Sequence, residues 1–224
     1  MRFGLASVIL TCILPVLFAD EAKSGLVVDQ AKRTITIPCT VAPRKLPNLD
    51  QVYPLEVIAT YPAPKGQKAH ETVVCLNDVK PSQVHKALEQ LGLKPGKPAR
   101  GEGTRASGPE VSLFLLMPGP DGAEREVPIE KALIDRKTGK ALPPLKWHFT
   151  GSVMKQPDPE KPDMVYGADL TGTLISIFPV TDETVLQSNL TMKEEPLIKL
   201  ETNKMGDNAL PKEGAPVKLV IKVK

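Results

Sequence analysis

The sequence predicts an α+β domain, mostly antiparallel β-sheet, with one main helix over residues 81–91 packed on a face of the sheet. Three observations predict it. Apolar and β-branched residues recur in short runs, the pattern of strands rather than of long helices. The 23 prolines fall mainly in the connections between those runs, where the missing N–H and fixed φ do least harm. One segment alone, from His70 to Gly92, adds a clear helical spacing behind a proline and ahead of a glycine.

That segment, HETVVCLNDVKPSQVHKALEQLG, is the organising stretch. Thr72, Val73, Val74, Cys75 and Leu76 form an apolar run that suits a strand covered on both faces. Asn77 and Asp78 break it with turn chemistry. Pro81 fits the first helical position, whose N–H would be unpaired anyway. Val84, Ala87, Leu88 and Leu91 make one apolar stripe, and Gly92 ends the helix. His85 lies about 100° around from Val84, at the stripe's edge.

Upstream, residues 25–29 and 34–41 read as a hairpin. Ile35, Ile37, Cys39 and Val41 share one face, and Thr34, Thr36 and Thr40 the other. Residues 55–61 form the next strand, turned by Pro62 to Gly66. Downstream, residues 92–109, GLKPGKPARGEGTRASGP, have no periodicity and read as a flexible insert. Residues 111–117 and 124–129 are strands around a Pro-Gly-Pro-Asp-Gly turn. Residues 129–134 suit one helical turn. Residues 146–152, 164–168, 172–178, 197–201 and 217–223 are further strands.

Residues 1–19 read as a signal peptide: Arg2, then an apolar run ending at Phe18, then a polar start at Asp20. The run is shorter than the ~20 residues of a membrane-spanning helix, so no stable span is expected after cleavage. Charge is nearly balanced, 29 Lys and Arg against 26 Asp and Glu, which gives no reason to propose a nucleic-acid partner. Apolar residues are 41% and aromatics 4%, so the core is aliphatic. The single tryptophan argues against a sugar-stacking platform. Cys39 and Cys75 remain in the mature part. In an oxidising compartment they could pair, closing a ~36-residue loop worth roughly 4 kcal/mol in the chain-entropy model. A simple meander instead places the 55–61 strand between them, about 9–10 Å apart, as buried free thiols.

Several constellations carry chemistry in principle. Gly101 to Ala106 fits a dinucleotide fingerprint in letters only, with no strand before it and no helix after it. Lys94, Lys97, Arg100 and Arg105 could hold an anion, or form a solvated loop. Ser152, His148 and Asp169 are hydrolase residue types, but His148 and Ser152 on one strand are roughly 13 Å apart. His70-Glu71 begins a zinc motif that Val74 fails to complete. If the helix folds back over the strand, His70, Glu71 and His85 become two imidazoles and a carboxylate, a plausible metal set. Otherwise His70 caps an edge and Glu71 pairs with a lysine.

The segment AHETVVCLNDVKPSQVHKALEQLGLKPG resembles the strand–helix core of the YdjY-type domain family, found in secreted or envelope-directed bacterial proteins. The likeness continues through residues 26–28, 34–41 and 55–61, and returns in LIDRKTGKALPPLKWHFTGS and VYGADLTGTLISIF. Its marks are His-Glu before an apolar strand, Phe-Thr-Gly-Ser and Tyr-Gly-Ala-Asp. The resemblance implies no established activity. Some relatives look like iron–sulfur proteins, whose cysteine runs this chain lacks. The expected organisation is a signal peptide (1–19), a YdjY-like domain (25–178, with 92–109 a flexible insert) and a C-terminal β extension (179–224) that could belong to the same domain. The expected function is an exported, non-catalytic module, periplasmic or extracellular, that binds or scaffolds an envelope or extracellular partner without a cofactor. The alternative is a metal-dependent or redox accessory protein using a transition metal on His70, Glu71 and His85.

Overall fold

The computed structural model describes residues 25–119 and 121–224; the leader expected over residues 1–19 lies outside the described residues. The strands are β1 (Val27–Asp29), β2 (Thr34–Val41), β3 (Val57–Thr60), β4 (Thr72–Leu76), β5 (Glu110–Pro118), β6 (Glu124–Pro128), β7 (Leu133–Asp135), β8 (Lys140–Ala141), β9 (Trp147–Phe149), β10 (Met154–Lys155), β11 (Val165–Tyr166), β12 (Ile175–Ser176), β13 (Leu186–Ser188), β14 (Leu200–Thr202) and β15 (Pro216–Val223). Two α-helices join them, α1 (Pro81–Gln90) and α2 (Gly167–Thr171).

The main sheet closes on itself. Its order is β2-β15-β5-β9-β13-β12-β3-β4, and β4 returns to β2. The closing register is Cys39 with Leu76, Thr40 with Cys75 and Val41 with Val74, antiparallel. Only β3–β4 and β12–β13 are parallel within the ring. The result is an eight-stranded barrel, a size whose interior side chains can fill. Alternation decides which do. In β2 every second residue from Ile35 to Val41 is buried, and the same holds for Val111, Leu113, Leu115 and Met117 in β5. Register stacks them in rows: Ile37 faces Leu219, which faces Leu115. The core is aliphatic with Trp147, Phe149 and Phe178 added.

This corrects the expected fold class. The chain is not an α+β antiparallel sheet with a helix over residues 81–91 laid on one face; it is mostly β and barrel-shaped. The expectation assumed a meander, with the 55–61 strand between the two cysteine strands. Instead β4 pairs with β3 on one side and with β2 on the other, so the sheet has no open end. A closed sheet leaves a helix only the ends or the outer wall. By register, β3, β4, β9 and β15 finish at one end, where β2, β5, β12 and β13 begin. Helix α1 follows β4 and α2 precedes β12, so both lie at that end. Val84, Ala87 and Leu88 of α1 are buried in the barrel's own core.

Two strands share their edges between successive partners. One side of β2 pairs with β1 along residues 34–36 and with β4 along residues 39–41. One side of β5 pairs with β9 at Glu110 and Val111 and with β6 from Phe114 onward. Strands β13 and β15, both beyond residue 178, are staves of the barrel. A three-stranded sheet, β14-β7-β8, lies beside the ring. Residues 92–109 fold into a loop bridged at Lys97 and Ser107. They are tied to the wall through Gly96 N–H to Phe149 O (2.9 Å) and Gly101 N–H to Pro179 O (2.8 Å). A Cβ on Gly96 would come within 2.0 Å of Ser107 O, so that approach requires glycine.

Candidate functional site

Barrel closure separates the residues proposed as a metal set. His70 and Glu71 stand just before β4, and His85 stands on α1 just after it. Five strand residues lie between, roughly 17 Å of extended chain. His70 and Glu71 do meet, Nε2 to Oε1 at 3.3 Å. Their cluster is Lys68, which donates to Glu71 Oε2 (2.6 Å) and Glu56 Oε2 (2.7 Å). Arg44, nearly buried, donates to the carbonyls of His70 and Tyr53. Burial pushes the Glu56 carboxyl above its ordinary range, against the bond from Lys68. For Lys68 burial pulls down, but its bonds to the two carboxylates outweigh it and the ammonium is held above its usual value. A buried charge cluster of this kind costs desolvation and is kept because its partners satisfy one another. Among the described residues, no group of three or more His, Cys, Asp or Glu side chains could hold a metal ion.

His85 belongs to a different cluster, at the helical end. Its Nδ1 lies 2.7 Å from Tyr166 Oη, and its Nε2 lies 3.5 Å from Glu89 Oε1. Tyr166 Oη accepts the Ser152 N–H at 3.1 Å. Burial first, then the nearby Asp169 and Glu89 carboxylates, raise the Tyr166 phenol against a bond from the Ser152 amide, so it keeps its proton at neutral pH. Ser152 Oγ accepts the Ala168 N–H (2.9 Å) and donates to Val153 O (3.2 Å). Asp169 accepts the N–H of Ser82 (2.8 Å) and its hydroxyl (2.6 Å), serving α1 as a cap from another element. Gly151, at φ +65°, lets the chain turn here; a Cβ would meet Pro95 at 2.8 Å and His85 Cε1 at 3.3 Å.

The three hydrolase types therefore do not form a triad. His148 Nδ1 bonds Gly108 O at 2.9 Å, Asp169 caps α1, and Ser152 meets Tyr166 instead. Sequence reading missed the His85–Tyr166 pair. Its traces were the Phe-Thr-Gly-Ser and Tyr-Gly-Ala-Asp motifs, which supply Ser152 and Tyr166. It also read residues 164–168 as strand, whereas α2 begins at Gly167.

Cys39 and Cys75 are free and buried. Their strands are adjacent, not two spacings apart. Cys75 sits opposite Thr40 while Cys39 sits opposite Leu76, so the pleat turns the two thiols to opposite faces. Burial pushes the Cys39 thiol up to about 12 and Cys75 up to about 11, so neither is a nucleophile at neutral pH.

Concave surface lies on the outer wall. A cavity of about 660 Å³ opens where β5 passes from β9 to β6 and is walled by Phe114, Trp147 and the Leu142–Leu145 segment. A volume of this order suits a small ligand. A second, of about 350 Å³, lies between β2, β15 and the β5–β6 turn.

The molecule is thus a small closed β-barrel with helices at one end, with His85, His148, Ser152 and Tyr166 engaged in local hydrogen bonds. Within that class, the YdjY domain family model matches residues 26–222, and the chain belongs to this family. Neither the curated proteins nor the solved structures contain a match.

Proposed function

We propose that the protein is an exported, non-catalytic binding module, working in the periplasm or outside the cell with an envelope or extracellular partner. One observation carries this reading. The Ser152 hydroxyl, beside the His85–Tyr166 pair, is spent in two backbone bonds and has no base as a partner among the described residues. A nucleophile needs a general base within hydrogen-bond reach, and His85 instead orients Tyr166. The thiols are buried and protonated. What remains for recognition is the outer wall and its cavities. Export rests on the leader-like residues 1–19 alone.

The test is retention of a defined partner from envelope extract on immobilised mature protein, repeated with His85→Ala. Capture of the same partner at equal stoichiometry by both forms supports a binding role independent of the imidazole. Turnover by the purified protein that His85→Ala abolishes would overturn it, as would stoichiometric zinc, copper or iron in protein prepared without chelator.

A further inference from the structure

The 660 Å³ outer-wall cavity is more than a gap in packing. Register makes it. On the side shared by β9 and β6, pairing stops at Val111 and resumes at Phe114. Ser112 and Leu113 are left with β15 alone. The Pro143-Pro144 segment, unable to add a strand there, lines the opening. The walls are mostly apolar, with Phe114, Leu142, Leu145 and Trp147 prominent, and Ser112, Lys131 and Lys224 add polar groups.

Among the lining residues is Glu130, about nine-tenths buried. It lies on the short 3-10 turn Ile129–Ala132. Oε1 accepts the Trp147 Nε1–H at 2.8 Å and the Leu145 N–H at 3.2 Å. Oε2 accepts no bond from any described residue and is not sealed from solvent. Its neighbour Lys131 also lines the cavity, and no ion pair joins the two side chains among the described residues. Lys224, at the rim, is held by Glu110 at 2.8 Å. A carboxylate oxygen left open in the lining of a cavity is a receptor for a hydrogen-bond donor, and best for a charged one.

We propose that this cavity binds a small apolar ligand carrying a protonated amine, its ammonium on Glu130 Oε2 and its apolar body against Phe114, Leu142 and Leu145. The proposal rests on the binding-module reading and adds the ligand's chemical class. An anionic ligand would bring a like charge to Glu130, and its only attraction would be the exposed lysine rim, which salt screens.

Trp147 is the sole tryptophan of the chain, so its fluorescence reports the site directly. The purified protein is titrated with 2-phenylethylamine, octylamine, 2-phenylethanol and 3-phenylpropionate. The expected result is a saturable change with either amine in the millimolar range or below, weaker with the alcohol and absent with the acid. Glu130→Gln, which keeps an acceptor for Trp147 and Leu145, should weaken amine binding roughly tenfold or more. Ser112→Phe, on the outer face of β5, should block it without touching Glu130. No saturation with either amine, equal binding of the acid, or undiminished binding by Glu130→Gln in folded protein would overturn the proposal. If amines fail while partner capture persists, this ligand class is lost and the binding-module reading stands. If amines bind while capture fails, the reverse holds.

Discussion

At the residue scale, single atoms decide what the polar clusters are for. Tyr166 Oη joins two elements, accepting from Ser152 and sharing a hydrogen bond with His85 Nδ1. Tyr166→Phe removes both bonds and leaves a half-buried amide unpaired. The expected cost is about 1–3 kcal/mol, read from urea unfolding. His85 has a side chain only 17% exposed, and its ring sits edge-on to Phe149 at 5.0 Å. His85→Ala is therefore expected to cost about 1–2 kcal/mol, more than the margin position seen in sequence implies. The cost should be the same with and without chelator; a metal-dependent difference would restore a metal role for this residue. The His85–Tyr166 bond was not legible in the sequence, because the partners are 81 positions apart. No local spacing registers such a pair, and only the folded barrel end brings them together.

At the element scale, α1 was legible and its surroundings were not. Its period, its Pro81 start and its Gly92 stop are local signals, and the stripe of Val84, Ala87 and Leu88 is buried. What the stripe packs against depends on closure of the sheet. Leu88 is fully buried, so Leu88→Ala should cost about 2–5 kcal/mol, measured by chemical denaturation. Helix α2 escaped notice because five residues are too few to show a helical period. The loop over residues 92–109 reads as free chain by composition, yet Gln187 of β13 holds it. The Gln187 side chain accepts the Ala99 N–H at 2.7 Å and donates to the Ala99 carbonyl at 2.9 Å. Gln187→Ala leaves buried backbone groups unpaired and should cost about 1–3 kcal/mol. It should also speed proteolysis within the loop; unchanged stability and cleavage would show that the loop is held elsewhere.

At the scale of the whole molecule, titration behaviour follows from burial. Burial raises Cys39 to about 12, Cys75 to about 11 and Tyr61 to about 12. Lys68 is raised as well, by its carboxylates against burial. A raised folded value means that the folded chain holds protons the unfolded chain has lost. The stability these groups contribute is full below the ordinary thiol value of 9.0 and is lost as pH rises through 11 to 12. Alkaline unfolding is expected in that window, with Cys75→Ser shifting its onset upward.

The strands themselves were mostly visible as alternating runs, since period two is written locally. Their closure into a ring was not. The bond that closes the ring joins residues 39–41 to residues 74–76 with β3 intervening in sequence but not in space. That closure keeps α1 at one end of the ring, with His85 there and His70 and Glu71 at the other. The most direct measurement is inter-strand nuclear Overhauser contacts in labelled protein. A closed ring requires backbone contacts between Thr40 and Cys75, and between Val41 and Val74, beside those of β4 with β3. If β2 instead shows its contacts with β3 and none with β4, the barrel is open and the separation of the two clusters fails with it.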